Sequence, residues 1–292
     1  MGSDVSIVIP TYNRLWGLKD CIASIKAQDF VDWEVIVMDD AGTEPVGDFV
    51  ASLQDHRIKY FRQEVNVGVA RNWADGILKA QSPYLCILMD DDWYQSNFLS
   101  SRVDIFRQYS DVGMVYGPYS RINTVSGTVE LINIREKGSI GHGSLVKAML
   151  GGDCFIGTAM HRTKNVQSII EEAAFFGLIL DYPINLLTVL RCSLNGFALD
   201  SFDFNYRNHP ETISNTQREL ANLQCYHFLQ KAIFLDDAFE MSRKQEICNR
   251  AMTYSMNASS WLRRIAWACR SIYNQPFQFK TYKCLVKRLL LR

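Results

Sequence analysis

The sequence predicts an α/β fold, with a mixed, mostly parallel sheet flanked by helices and a helical extension at the C-terminal end. Apolar runs of strand length alternate with segments of helical periodicity from residue 5 to residue 89. That alternation is typical of a parallel, doubly wound sheet. The run at 85–89 is apolar throughout, which is typical of a strand buried on both faces.

The order of the elements follows from these patterns. We expect strands at 5–9, 33–38, 58–61 and 84–89, with helices between them at 15–28, 46–53 and 69–80. Further along we expect a helix at 98–109, a strand at 112–116, a hairpin at 121–134 that turns at Ser126-Gly127, strands at 155–161 and 197–199, and helices at 144–150, 166–175 and 184–192. Residues 205–216 are polar and predict a loop, whereas 217–292 have mostly helical periodicity.

Three consecutive carboxylates, Asp90, Asp91 and Asp92, follow the apolar run at 85–89. Adjacent carboxylates repel one another at the edge of a core, and a bound cation would explain their presence. Mg²⁺ and Mn²⁺ prefer carboxylate oxygens and often bridge to the phosphates of a substrate. The alternative is a solvated acidic turn.

Polar residues also follow two other predicted strands. Thr11, Tyr12 and Arg14 come after the first strand, and Asp39 ends the second. In such sheets ligands bind outside the carboxyl ends of the strands, so these residues favour a binding site over a solvated turn. The sequence contains neither GxGxxG nor GxxxxGK[ST]. A diphosphate here would therefore need a metal and an arginine.

Four motifs, in this order, resemble the family 2 glycosyltransferases, which have the GT-A fold. They are VSIVIPTYNR at 5–14, EVIVMDD at 34–40, NVGVARN at 66–72 and LMDDD at 88–92. The resemblance is firm over 4–120 and looser over 140–215. It implies an inverting, metal-dependent hexosyl- or N-acetylhexosaminyl-transferase that uses Mn²⁺ or Mg²⁺. Such an enzyme would move a sugar from a nucleotide-diphosphate donor, a UDP-sugar, to a hydroxyl of a surface glycan or lipid-linked saccharide.

The resemblance also implies a domain organisation. A GT-A catalytic domain would comprise residues 1–215, with a nucleotide-binding half at 1–120 and an acceptor-binding half at 121–215. The resemblance is absent beyond residue 215, where periodicity and charge predict a helical C-terminal region with a basic amphipathic tail at 216–292.

For the donor site, the resemblance implies that Asp39 accepts a hydrogen bond from a ring N–H such as that of uracil. Arg71 would pair with the diphosphate, because a guanidinium suits phosphate oxygens; the alternative is a solvated arginine on a helix. Asp92 would bind the metal directly. The residues expected against the nucleotide or its sugar are Pro10, Thr11, Tyr12, Arg14, Asp39, Arg71, Asp90, Asp91 and Arg207, and the further metal ligands are Asp90 and His209. Arg207 and His209 lie in a Tyr-Arg-x-His segment, and the alternative for His209 is simple solvation.

Inversion needs a base that takes the proton of the acceptor hydroxyl, and the resemblance implies an aspartate near the start of a later helix. Asp181 is the best match, although the glutamate that commonly precedes it is absent. Asp181 could instead cap the helix, as aspartate often does. Asp153 is the reserve candidate for the base.

Charge is unevenly distributed along the chain. The formal net charge is zero, yet residues 261–292 contain eight Lys or Arg and no Asp or Glu. This tail could pack its apolar stripe on the body or lie on an anionic membrane surface. Nucleic acid is not expected as a partner, because the remainder of the chain is acidic and lacks a recognised binding motif.

Cysteine usage and hydropathy indicate the compartment. The eight cysteines show no CxxC spacing and are expected to be reduced thiols, and no run reaches transmembrane length. We therefore expect a cytoplasmic protein. The basic tail, together with the lipid-linked acceptors that the resemblance implies, would place it at the inner face of the plasma membrane. Two alternatives to the transferase are a nucleotidyltransferase, which usually has a Gly-rich loop after the first strand, and a non-catalytic scaffold that binds nucleotide or glycan.

Overall fold

The computed structural model describes residues 2–212, 216–231, 246–247 and 251. Contacts divide the chain into two units, residues 1–212 and a second unit that begins at residue 213. The basic segment 261–292, with its two interpretations, lies outside the described residues. No helix in the described part of the chain has the length and apolar character needed to cross a bilayer.

Strands and helices alternate through the first half of the chain, as predicted. The elements are β1 (Val5–Thr11), α1 (Leu15–Lys26), β2 (Trp33–Asp39), α2 (Val46–Ser52), β3 (Ile58–Arg62), α3 (Val69–Lys79), β4 (Tyr84–Ile87), β5 (Trp93–Tyr94), α4 (Phe98–Gln108) and β6 (Val112–Tyr116).

The remainder of the first unit mixes short strands with helices. The elements are β7 (Tyr119–Asn123), β8 (Val129–Ile132), β9 (Gly138–Ile140), α5 (His142–Leu150), β10 (Met160–Arg162), α6 (Thr163–Gln167), α7 (Ile170–Ala174), α8 (Asp181–Cys192), β11 (Asn195–Ala198) and β12 (Phe204–Asn208). In the second unit, α9 (Arg218–Lys231) is described.

Within residues 2–212, eight strands form one sheet in the order β3-β2-β1-β4-β10-β6-β11-β9. The pairs among β1 to β4 are parallel, as is β6 with β11, whereas β10 and β9 run antiparallel to their neighbours. Every residue of β1 and β2 is buried, because helices cover both faces of such a sheet. The α/β prediction is confirmed.

A second sheet has the strand order β5-β12-β7-β8, and β5 directly follows the acidic triplet in the sequence. This sheet differs from the predictions in two places. β5 was not predicted, because two residues leave no periodic signal. The predicted loop at 205–216 was wrong at its start, since β12 pairs with β5 and β7. The polar side chains of this segment gave no strand pattern, although Phe204, the first residue of β12, is fully buried.

Two further predicted boundaries were wrong. The strand expected at 155–161 begins only at Met160, because backbone hydrogen bonds from Thr158 and Ala159 close a 3-10 turn at Ile156–Thr158. The helix expected at 166–175 is two helices, α6 and α7, separated by a tightened turn at Ser168 and Ile169. The predicted hairpin is confirmed, with Gly127 in the left-handed region (φ 70°) at its turn.

A fully buried ion pair ties α4 to the start of β12. Arg102 Nη2 donates to Asp203 Oδ1 at 2.9 Å, and Nη1 donates to Asp203 Oδ2 at 2.9 Å. The same guanidinium donates twice to the carbonyl of Thr158 and stacks over Phe98. A buried charge is tolerated only when it is paired and hydrogen-bonded, so this pair fixes where β12 begins.

The cysteines in the described part of the chain are free, and Cys21, Cys86 and Cys225 are buried. Burial raises the pKa of the Cys86 thiol to about 12. These thiols therefore behave as small apolar side chains and not as reactive groups.

His161 of β10 is fully buried, and we expect it to make the fold acid-sensitive. Burial lowers the pKa of His161 from 6.5 to about 4. The unfolded chain binds this proton more tightly than the fold, so stability falls as the pH drops from 6.5 to 4. The expected contribution to the free energy of unfolding is about 3 kcal/mol, lost across that window. Chemical denaturation at several pH values measures it.

The variant His161→Asn should show a flatter pH dependence of unfolding between pH 6.5 and 4, whatever its absolute stability. The same change at the exposed His56 is the matched control and should leave the pH dependence unchanged. Equal slopes for the wild type and His161→Asn would contradict the assignment.

Candidate active site

Three strand ends lie in register at the carboxyl edge of the large sheet. Thr11 of β1 pairs with Asp39 of β2, and Asp39 pairs with Arg62 of β3. On the other side of β1, β4 leads into the acidic triplet. The structure therefore brings together the residues that follow β1, β2 and β4, as expected from the parallel topology.

Asp39 is fully buried and lies between Thr11 and Arg62 at this edge. Its Oδ1 accepts the backbone N–H of Gly42 at 2.9 Å. Its Oδ2 accepts the Tyr60 hydroxyl at 2.7 Å and Arg62 Nη1 at 2.9 Å. Both oxygens are thus oriented by three donors, one on the loop after β2 and two on β3.

The next residue, Asp40, anchors the turn that leads into α3. Its carboxylate accepts the backbone N–H groups of Val67 at 2.7 Å and Gly68 at 3.0 Å. Gly68 has φ 83°, a conformation that glycine adopts at little cost. Asn72 donates to the carbonyl of Met38 at 2.9 Å and supports the same turn.

Arg71 lies on the first turn of α3 and is half-exposed. It donates to Glu171 at 3.0 Å and also pairs with Asp75. These partners lie on the surface, where ion pairs contribute little to stability. The guanidinium is therefore positioned by carboxylates that a phosphate could replace.

The loop after β1 lies directly against the acidic triplet. Arg14 Nη1 donates to Asp90 Oδ1 at 2.7 Å and lies 3.1 Å from Asp91 Oδ2. A Cβ on Gly17 would meet the carbonyl oxygen of Asp90 at 2.6 Å, so only glycine lets α1 approach this closely. Tyr12 is 50% exposed on the same loop and presents its ring to solvent.

The three carboxylates of the triplet are buried, and the nearby positive charge only partly offsets their burial and mutual repulsion. Burial raises the pKa of Asp90 to about 6 against the opposing charge of Arg14. Burial also raises the pKa of Asp92 well above its usual range, and the charge of Asp91 adds to the effect. Asp92 Oδ1 accepts the backbone N–H of Arg207 at 2.7 Å. Asp92 Oδ2 is buried and accepts no hydrogen bond from the residues that the structure describes.

The residues present fit a divalent cation at this oxygen. A buried carboxylate oxygen with no donor is the group that a hard cation satisfies. Among the described residues, no set of three or more His, Cys, Asp or Glu is arranged to hold a metal. Any cation at Asp92 would therefore take its remaining ligands from phosphate and water, which is usual for Mg²⁺.

His209 and Arg207, expected near the phosphates or the metal, have other partners in this structure. His209 Nε2 lies 2.9 Å from Asp91 Oδ2, and its ring packs edge-on against Trp16. The Arg207 guanidinium lies 5.1 Å from the centre of the Trp16 ring and 4.8 Å from that of Trp93. Arg207 also donates to Asp20 at 2.8 Å.

The two candidate bases lie in the second half of the first unit. Asp181 is the first residue of α8, and no side chain caps the N-terminus of that helix. Asp181 therefore lies inside the helix and does not occupy the cap position. Asp153 is nearly buried, and its Oδ2 accepts the backbone N–H of Arg135 at 3.1 Å.

Sequence reasoning missed several residues of this site. Tyr60 lies within the short strand predicted at 58–61 and Arg62 directly after it, Trp16 lies within the helix predicted at 15–28, and Trp93 lies outside every predicted element. One sequence pattern could have indicated Tyr60 and Arg62, namely the strand-like segment Ile58-Lys59-Tyr60-Phe61-Arg62. If β3 is an outer strand parallel to β2, its last residues lie beside Asp39.

Comparisons with known proteins show which proteins this chain is similar to. A family model described as "Glycosyl transferase family 2" matches residues 6–166. The chain is 39% identical over 100 residues to GalNAc(5)-diNAcBac-PP-undecaprenol beta-1,3-glucosyltransferase of Campylobacter jejuni, which is 33% of this chain and 32% of the relative. It is 28% identical over 122 residues to UDP-Glc:alpha-D-GlcNAc-diphosphoundecaprenol beta-1,3-glucosyltransferase WfgD of Escherichia coli, with coverages of 42% and 48%. The chain thus spans between a third and a half of the length of these relatives.

Solved structures match over most of the chain. Residues 1–349 of S. aureus TarS in complex with UDP-GlcNAc superpose with a TM-score of 0.70 at 14% identity, covering 92% of this chain and 79% of that one. The mannosyltransferase PcManGT from Pyrobaculum calidifontis, in complex with GDP-Man and Mn²⁺, superposes with a TM-score of 0.55 at 14% identity, covering 99% and 86%. At such identities the likeness shows a shared fold.

Proposed function

The chain belongs to glycosyl transferase family 2, and we propose that it is an inverting, metal-dependent glycosyltransferase. It moves a hexosyl or N-acetylhexosaminyl group from a UDP-sugar to a hydroxyl of a lipid-linked saccharide or surface glycan. The relatives named above support this class of acceptor, since two of them are named for undecaprenol-diphosphate saccharides.

The observation that supports the proposal best is the in-register edge Thr11–Asp39–Arg62 beside a buried carboxylate triplet. Asp39 suits the ring N–H of a nucleobase, and Tyr12 has an exposed ring that can stack on the base. Asp90 and Asp92 suit the ribose and a cation. A nucleoside diphosphate has this same order of groups, from base to ribose to phosphates.

Residues of this chain supply the remaining steps. Asp181 takes the proton from the acceptor hydroxyl as its oxygen attacks the anomeric carbon. The bond from that carbon to the diphosphate oxygen breaks, the configuration inverts, and UDP leaves. Arg71 pairs with the diphosphate as its charge develops. When bound, Mn²⁺ or Mg²⁺ would neutralise the leaving diphosphate as a Lewis acid, held by Asp92 and assisted by Asp90 and His209.

The domain division belongs to the same proposal. Residues 1–120 bind the nucleotide and 121–215 bind the acceptor, whereas most of the helical region expected at 216–292 lies outside the described residues. Acceptors of the lipid-linked class would place the enzyme at the cytoplasmic face of the membrane, with 261–292 as one contact to anionic lipid.

Titration calorimetry with UDP, followed by a donor-hydrolysis screen, tests the proposal. We expect UDP to bind more tightly with Mn²⁺ or Mg²⁺ than without, and at least one UDP-sugar to be hydrolysed slowly to UDP and free sugar. Release of pyrophosphate from a nucleoside triphosphate and a sugar phosphate would instead show a nucleotidyltransferase. Binding without turnover on any donor and acceptor would show a non-catalytic scaffold, and no binding of any nucleoside diphosphate would overturn the proposal.

A further inference from the structure

The hydrogen-bond capacity of Asp39 is nearly filled by the protein itself. A carboxylate offers about four acceptor positions, two on each oxygen. Tyr60 and Arg62 occupy both positions on Oδ2, and the Gly42 N–H occupies one on Oδ1. Among the contacts within the described part of the chain, one position, on Oδ1, remains for a ligand.

We infer that Tyr60 and Arg62 are specificity-determining residues that restrict this enzyme to donors with a uracil or thymine base and exclude guanine. This inference rests on the proposed function, since it assumes that Asp39 meets the base. Uracil and thymine present one ring N–H between two carbonyl oxygens, which needs a single acceptor. Guanine presents two adjacent donors, a ring N–H and an amino group, and an aspartate binds them with both of its oxygens.

The geometry keeps Oδ2 occupied. Burial and the hydrogen bond to Asp39 raise the pKa of Tyr60, so its hydroxyl remains a donor at physiological pH. The Tyr60 ring packs against Gly47 of α2, where a Cβ would lie 3.0 Å from the ring edge. Because the ring is held between β3 and α2, its hydroxyl cannot easily swing away to make room for a second donor from guanine.

Arg62 contributes from the solvent side. Its side chain is 47% exposed, and Nη1 is the atom that donates to Asp39. The guanidinium carries five N–H donors in a fixed fork, so one group can hold Oδ2 and face a carbonyl oxygen of the base. A uracil carbonyl beside its N–H matches this pairing of acceptor and donor.

Nucleoside diphosphate affinities of the full chain, measured with Mn²⁺, test the inference. For the wild type we expect UDP and dTDP to bind at least about tenfold more tightly than GDP, which is the effect of about one hydrogen bond. Tyr60→Phe removes only the hydroxyl and frees one position on Oδ2. We expect it to lower the ratio of GDP to UDP dissociation constants by at least about fivefold.

Arg62→Met frees the other position on Oδ2 and should shift the ratio in the same direction. Because Arg62 is half-exposed, this variant keeps the inference testable if Tyr60→Phe does not fold. Tyr84→Phe is the matched control, since Tyr84 stacks on Phe106 at the opposite end of β4, and it should leave the ratio unchanged. Melting temperatures are recorded for every variant.

Two results would overturn the inference while leaving the proposed function intact. One is a wild type that binds GDP as tightly as UDP. The other is retained nucleotide binding in both variants with a ratio equal to that of the wild type. Absence of binding of every nucleoside diphosphate to the wild type would instead overturn the proposed function, and the inference with it. A merely structural role of Tyr60 would weaken all nucleotides alike.

Discussion

Asp181→Asn is expected to lower the rate of sugar transfer by about 10²–10⁴-fold, which is the usual contribution of a general base. Asparagine has nearly the same shape as aspartate but cannot accept the proton of the acceptor hydroxyl. UDP affinity should stay within about twofold of the wild type, because a base that acts only in the transition state affects turnover and not donor binding. Single-turnover transfer and UDP titration measure the two quantities separately.

The position of Asp181 makes the control variant informative. It is the first residue of α8, where the helix dipole favours a carboxylate by about 0.3–1 kcal/mol, so the substitution also costs a little stability. Asp153→Asn is the matched variant, since its carboxylate accepts the backbone N–H of Arg135. Transfer should survive in Asp153→Asn. Loss of transfer in Asp153→Asn together with full transfer in Asp181→Asn would show that Asp153, and not Asp181, is the base.

The first half of the fold was predictable from sequence because its strands are simple. β1 and β2 are buried runs that end in Thr11 and Asp39, and β4 is a mostly buried run that two apolar residues separate from Asp90. Period and length identify such strands. The parallel order then places their ends at one edge. The strand ends therefore indicated Thr11, Asp39 and the triplet before any geometry was known.

The partners of those residues could not be predicted in the same way. Tyr60 and Arg62 reach Asp39 only because β3 pairs with β2 in one register, and periodicity does not specify register. Arg207 was expected in a loop, yet it lies on β12, which the buried Arg102–Asp203 pair holds in place. The Arg102–Asp203 pair joins residues 101 positions apart in sequence, and a local pattern carries no information about such a contact.

Asp92→Asn is expected to remove the metal dependence of UDP binding, weakening Mn²⁺-dependent affinity by at least about 100-fold. Loss of a group that only supports a metal ligand typically costs 10–100-fold in affinity, so loss of a direct ligand should cost at least the upper value. Calorimetry with and without Mn²⁺ measures this change. Asparagine can still accept the backbone N–H of Arg207, so the local fold should persist.

Thermal unfolding provides an independent test, because Asp92→Asn should weaken ligand binding but not lower the melting temperature of the metal-free protein. The pKa of Asp92 is raised by burial, so its ionised form destabilises the fold at neutral pH when no cation is present. Without metal, Asp92→Asn should therefore melt at the same temperature as the wild type or higher. With Mn²⁺ and UDP at 100 times the wild-type dissociation constant, the wild type should gain about 2.7 kcal/mol, and a variant weakened at least 100-fold should gain at most about 0.4 kcal/mol.

Asp20→Asn is the matched control for this prediction. Asp20 is an exposed carboxylate that accepts a hydrogen bond from the Arg207 side chain, so the variant makes the same chemical change beside the same arginine but outside the triplet. It should retain metal-dependent UDP binding. If Asp20→Asn and Asp92→Asn lose this binding equally, then the position of Arg207 governs it and Asp92 is not a metal ligand. If only Asp92→Asn loses metal-dependent UDP binding and this variant also melts at a higher temperature without metal, then the Asp92 carboxylate binds the cation and its buried charge destabilises the metal-free fold.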